Sequence, residues 1–143
     1  MVVDASVWVS YFLPPDRHHQ ESYDWVVQQL TEGAFLTLPG IALAEVGGAI
    51  ARIGGVAEAG RAAVRWLLTR PNLEVDSGED QHDEAAFLAC DLQLRGADAY
   101  YVLLAQRRSV PLISWDEQQL ARSARLTPVG CPGEPLRWPS AAG

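Results

Sequence analysis

The 143 residues contain no lysine; all eleven basic residues are arginine, set against eighteen acidic ones for a formal net charge of −7. A Walker-type phosphate loop therefore lacks its lysine, and Schiff-base or pyridoxal chemistry lacks its amine. Only two cysteines occur, Cys90 and Cys131, far apart and in no CxxC pair. That removes the basis for zinc or thioredoxin-like chemistry and reads as a reduced, cytoplasmic chain. No stretch reaches the roughly 18 uncharged apolar residues of a membrane span before meeting a charge or a proline. The start MVVDASVWVSYFL has no basic n-region and carries Asp4 early, unlike a secretory signal. Repeats, low-complexity tracts, a GxSxG elbow and an HExxH pair are all missing. The acidic balance excludes broad electrostatic coating of nucleic acid.

What is present fits one compact domain, with 48% hydrophobic and 20% charged residues. Short apolar runs alternate with amphipathic stretches. Strands are expected at Met1–Val3, Ala34–Leu38, Asn72–Val75, Leu112–Ser114 and Leu126–Val129. Helices are expected at Ser6–Leu13, Arg17–Thr31, Ile41 to about Arg52, Val56–Leu68, Asp80–Leu94, Asp98–Gln106 and Asp116–Ser123. Strands separated by helices predict an α/β fold, a central parallel sheet with helices on both faces and ligands beyond the carboxyl ends of the strands. Residues 1–130 form that domain, and the proline- and glycine-rich tail 131–143 reads as irregular.

Four carboxylates stand apart from the other acidic residues. Asp4 is the only charge from Met1 to Pro15, and Glu45 the only one from Gly33 to Ala51. Asp98 is alone between Gly96 and Gln106, and Asp116 follows the apolar run VPLISW. A carboxylate among apolar neighbours must be hydrogen-bonded, protonated or bound to a cation. The fold brings all four towards one sheet edge, where they repel one another; Mg²⁺ or Mn²⁺ relieves that and suits oxygen-only ligands. Each also has an ordinary reading. Asp116 with Gln119 forms a capping box, Asp98 sits where an N-cap belongs, and Glu45 suits the polar edge of a helix.

The segments VVDASVWVSYF, LPGIALAEV and RGADAYYVLLAQRRSVPLISWDEQQL, in that order, resemble the PIN-domain family, and within it the VapC-type ribonuclease toxins. The resemblance covers about residues 1–129. It implies an RNA-cleaving hydrolase leaving 5′-phosphate and 3′-hydroxyl ends, with Asp4, Glu45, Asp98 and the more variable Asp116 as the acidic ligands of Mg²⁺ or Mn²⁺. Ser6 and Ser114 match small hydroxyl positions near the metal, Ser114 standing where threonine is more usual. The resemblance also implies a small VapB-like antitoxin as partner, and a homodimer.

Arginines such as Arg107, Arg108, Arg17 and Arg95 are candidates for steering RNA, although Arg107 and Arg108 also suit a helix C-terminus. His18, His19 and His82 fall in polar helix starts and read as surface; Trp8, Tyr11 and Trp25 suit packing or base stacking. Gly47-Gly48 inside a helix calls for close packing, within the chain or across a dimer. A haloacid-dehalogenase-type phosphatase needs D-x-D, and position 6 is serine. A PIN nuclease that is not a toxin, and a catalytically silent binding module, remain as alternatives.

Overall fold

The computed structural model describes residues 1–79 and 81–140. Five strands form one parallel sheet: β1 (Val2–Val3), β2 (Leu36–Pro39), β3 (Leu73–Asp76), β4 (Leu112–Ile113) and β5 (Val129–Gly130), in the order β3-β2-β1-β4-β5. Seven helices connect them: α1 (Ala5–Phe12), α2 (His19–Thr31), α3 (Ile41–Gly54), α4 (Ala57–Thr69), α5 (His82–Leu92), α6 (Gly96–Arg108) and α7 (Glu117–Ser123). The α/β expectation holds. The strands are short because the apolar runs are short, and those of β1, β2 and β4 are buried throughout.

The strand order places the site. From β1 the chain steps outward through β2 to β3, then crosses back to β4 on the other side of β1. Right-handed crossovers put α1–α4 on one face and α5–α7 on the other; α1 packs on α2 and α3, α3 on α4, and α5 on α6. The direction of travel reverses between β1 and β4, so their carboxyl ends open a crevice. Asp4 leaves β1 there, and Ser114 leaves β4 there. Trp8, Leu36, Leu38, Tyr101 and Leu112, each fully buried, fill the core around this seam.

Several boundaries differ from the sequence expectation. Helix α6 begins at Gly96, so Asp98 lies inside the first turn and Arg95 takes the N-cap position without a side-chain cap. The last strand is Val129–Gly130, because Leu126 and Thr127 donate their N–H groups to the Ser123 carbonyl in the turn that closes α7. Asp80, the expected start of α5, lies outside the described residues, as do the last three residues of the tail. The described part of the tail is irregular but anchored: Val129 and Arg137 exchange backbone hydrogen bonds at 2.9 and 2.7 Å in an antiparallel bridge. Cys90 and Cys131 are free thiols, the first exposed and the second buried. No helix among the described residues is long and apolar enough to cross a membrane.

The adjacent glycines of α3 have different causes. Gly47 faces α4 within the chain: a Cβ on Gly60 of α4 would stand 2.3 Å from the Gly47 carbonyl oxygen, and one on Gly47 would stand 2.7 Å from a Val64 methyl. The close packing is therefore intramolecular. A Cβ on Gly48 would meet nothing within 4 Å. Gly60→Ala is expected to destabilise the fold by about 1–3 kcal/mol through forced separation of α3 and α4. Gly48→Ala is expected to stabilise the helix by up to about 1 kcal/mol. Thermal melts of the two variants moving the same way would contradict this account.

Candidate functional site

The site begins at the seam. The Asp4 amide donates to the Ile113 carbonyl at 2.9 Å, clamping the end of β1 beside β4. Asp4 is 5% exposed. Its Oδ2 accepts the Ser6 amide at 2.9 Å, which caps α1, and the Ser114 hydroxyl at 3.1 Å. Its Oδ1 accepts the side-chain amide of Gln119 at 3.4 Å. Ser6 and Ser114 pin the neighbouring backbone as well: their Oγ atoms accept the amides of Trp115 and Asp116, each at 3.0 Å.

The other three carboxylates arrive from separate elements. Glu45 is the fifth residue of α3, half-buried, and its Oε1 accepts the hydroxyl of fully buried Tyr101 at 2.7 Å. Asp98, on the first turn of α6, accepts Nε–H of Arg95 at 2.9 Å. Asp116 caps α7 by accepting the Gln119 amide at 3.0 Å, so its capping role is real. Only that half of the expected capping box forms, because the Gln119 side chain turns to Asp4 instead. The second oxygen of Asp116 accepts an Nη2–H of the same Arg95 at 2.6 Å. Asp4, Glu45, Asp98 and Asp116 line one cavity of about 250 Å³, with Ser6 and Arg95 on its wall.

The electrostatics follow from this gathering. Burial, followed by the charges of Asp4 and Asp98, raises the Glu45 carboxyl above the usual carboxylate range despite the Tyr101 hydrogen bond. Burial likewise raises Asp98, with Asp4 and Asp116 adding to the shift and Arg95 opposing it. Burial and the nearby Asp4 and Glu45 charges push the Tyr101 phenol far up, so it stays a neutral donor. The ion pair with Asp98 holds the Arg95 guanidinium in its charged form.

The donor chemistry fits a hard divalent cation: four carboxylates and no thiolate or imidazole on the cavity wall. As the side chains stand, no three acidic, histidine or cysteine groups among the described residues are gathered to hold one ion. The reason is local. Arg95 occupies the space between Asp98 and Asp116, Tyr101 holds Glu45, and Ser114 and Gln119 hold Asp4. Gln119 is buried, and its carbonyl oxygen has no partner among the described residues. Asp4, Glu45 and Asp98, with Asp116 beside them, are the groups positioned to hold a cation once Arg95 moves aside.

Sequence reading missed Tyr101, took Gln119 only as the partner of Asp116 in a capping box, and offered Arg95 as a candidate RNA contact rather than a partner of the carboxylates. Tyr101 had a signal, since it lies one turn after Asp98 and a buried phenol needs a partner. Arg107 and Arg108 are committed elsewhere: Arg107 pairs with Glu84 at 2.6 Å, and Arg108 with Glu74 and Asp76 at 2.6 and 2.9 Å. Trp8 and Trp25 are core residues, and Tyr11 packs on Tyr23 and Trp66. His82 contacts the Tyr100 hydroxyl, while His18 stacks on Trp115.

A family model described as PIN domain matches residues 1–126. A search of curated proteins finds no match. Among solved structures, PAE2754 from Pyrobaculum aerophilum is similar at 23% identity and a TM-score of 0.59, over 85% of this chain and 84% of that one. VapC20 from Mycobacterium tuberculosis, a toxin that cleaves the sarcin-ricin loop, is similar at 17% identity and a TM-score of 0.71, over 84% of this chain and 92% of that one. At these identities the structural likeness establishes a shared fold.

The raised Glu45 carboxyl has a consequence for stability. It holds its proton more tightly in the folded chain than in the unfolded one, where it titrates near 4.5. Its protonation therefore favours the fold below that pH, and the benefit is lost as pH rises through the folded-state value. Glu45→Gln keeps an acceptor for Tyr101 and removes the charge. In EDTA at neutral pH its Tm is expected to exceed wild type by a few degrees, the gap closing below pH 4.5. A Tm at or below wild type at neutral pH would show that gathering the charge costs nothing.

Proposed function

This chain belongs to the PIN-domain family, and from that premise we propose that it is a divalent-metal-dependent endoribonuclease acting as the toxin of a toxin–antitoxin pair. The observation that carries the reading is the convergence of Asp4, Glu45, Asp98 and Asp116, from four separate segments, on one cavity at the switch point of the sheet. Repulsion among four carboxylates is tolerated at a site that receives a cation. The likeness to VapC20, a sarcin-ricin-loop-cleaving toxin, supports RNA as substrate and a small VapB-like antitoxin as partner. A homodimer belongs to the same reading.

Asp4, Glu45 and Asp98 would hold Mg²⁺ or Mn²⁺, with Asp116 beside them. When bound, the cation supplies Lewis-acid activation of water and neutralises charge on the phosphodiester. The chain's own residues supply the rest. Ser6, Ser114 and Gln119 fix the Asp4 carboxylate at the end of β1, and Tyr101 fixes one oxygen of Glu45. In the hydrolysis water adds to phosphorus and the P–O3′ bond breaks, leaving a 5′-phosphate and a 3′-hydroxyl.

A second reading, a fold kept for binding alone, draws on Arg95, which bridges Asp98 and Asp116 where a cation belongs. Two measurements separate them. Purified protein is expected to cut total cellular RNA into discrete fragments with Mg²⁺ or Mn²⁺ and not with EDTA. Asp4→Asn or Asp98→Asn is expected to lower that cleavage more than about 100-fold, and undiminished cleavage by either variant rejects the mechanism. Arg95→Gln removes the internal cation; it is expected to tighten Mn²⁺ binding severalfold and to lower the Tm in EDTA. Wild-type protein that takes up no Mn²⁺, with an Arg95→Gln variant that takes up none either, would favour the binding module.

A further inference from the structure

Beside the carboxylate cavity lies a second concavity of about 580 Å³, which shares Ala5, Ser6 and Glu45 with it. Two of its residues stand out among the cations. Most arginines of this chain are consumed internally: by carboxylates, by the Gln93 carbonyl at Arg122, or by the Trp66 ring at Arg70. Among the described residues only Arg17, Arg52 and Arg125 have no side-chain partner, and Arg17 and Arg52 both line this cleft. A chain with a net charge of −7 thus leaves two uncommitted cations in one cleft, with Asp16 and Glu45 also on its lining, beside its most acidic site. That placement serves an anionic ligand extending out of the carboxylate cavity.

The cleft also carries a flat aromatic element. The rings of His18 and Trp115 stack with centroids 4.0 Å apart and planes 6° from parallel. The pair is held in place: Trp115 donates its indole N–H to Ser22 Oγ at 2.8 Å and its amide to Ser6 Oγ at 3.0 Å. His18 donates its amide to Asp16 at 2.8 Å. Along the floor, Glu45, Gly48 and Arg52 recur at helical spacing on α3, and a Cβ at Gly48 would meet nothing within 4 Å. The glycine therefore weakens the helix with no packing return there, and it keeps the floor low.

We propose that this cleft is a nucleotide subsite for single-stranded RNA. An unpaired base lies against the His18–Trp115 pair, and phosphates on the strand leading to the cut bond meet Arg17 and Arg52. The two chemistries together, guanidinium with a partly exposed aromatic stack, match how unpaired strands are held. The subsite deepens the nuclease reading and rests on it for its role beside a scissile bond. Its binding function can be tested without cleavage.

The test is fluorescence anisotropy of a labelled single-stranded RNA octamer in EDTA at low salt, with an abasic strand of equal length as comparison. Arg17→Gln/Arg52→Gln is expected to weaken RNA binding at least about tenfold and to flatten the slope of log affinity against log salt by about 1.4, two phosphate contacts' worth. His18→Ala removes a ring from a residue whose side chain makes no capping bond. It is expected to weaken RNA binding about 5-fold or more and to leave the abasic strand unaffected. Arg125→Gln should behave as wild type. Binding by the double variant with wild-type affinity and salt slope overturns the proposal, as does wild-type protein that does not bind the octamer. Equal loss on both strands with His18→Ala overturns the stacking half. Wild-type binding of this pattern without cleavage under any metal would leave the subsite standing and remove the nuclease reading.

Discussion

Everything at this site depends on one electrostatic constraint: four carboxylates share a small cavity, and the fold must keep them there against their repulsion. Each is restrained by a different device. Asp4 is held by three donors, a backbone amide and two side chains. Glu45 is held by a phenol that burial keeps neutral. Asp98 and Asp116 share the guanidinium of Arg95. That arginine is 75% exposed, so the pairing is open to solvent and weak by the standards of buried ion pairs. The most exposed of the restraints is thus the one standing where a cation would compete.

Holding the carboxylates in place also falls to the packing and hydrogen bonds around the cavity. The contact of Gly47 with Gly60 draws α3 close against α4, which sets the line along which Glu45 is presented. Tyr101 and Trp8, both fully buried, fill the two faces of the sheet beneath the seam. Ser6 and Ser114 bind the exits of β1 and β4 to each other as well as to Asp4. Core packing and site geometry are consequently hard to separate: a shift of α3 or of the β1–β4 seam displaces a carboxylate.

The same economy governs the positive charges. With no lysine and a large acidic excess, the chain spends arginines pairwise across its own surface, as at Glu58 with Arg61 and Arg65 and at Glu74 with Arg108. Charge count alone therefore says little about where an anionic strand would be met. Arg107 and Arg108 are adjacent and conspicuous in the sequence, yet both are paired, whereas isolated Arg17 and Arg52 are free and face one cleft.

Local signals in the sequence determined the element order, the α/β class and the isolation of Asp4, Glu45, Asp98 and Asp116. Periodicity and punctuation act over a few residues, and a lone carboxylate in an apolar run is visible without any partner. The cap made by Asp116 on α7 was legible for the same reason, since its partner Gln119 is three residues away. Only the tertiary structure decided that Tyr101 would meet Glu45 across 56 positions, or that Gln119 would reach Asp4 across 115. It also decided that Arg95 would join two carboxylates from different elements and that His18 would stack on Trp115. These pairings depend on strand order and helix crossing, which short-range patterns do not encode. Ionic and aromatic partners are set by proximity in space, and here that proximity comes from the reversal of the chain between β1 and β4.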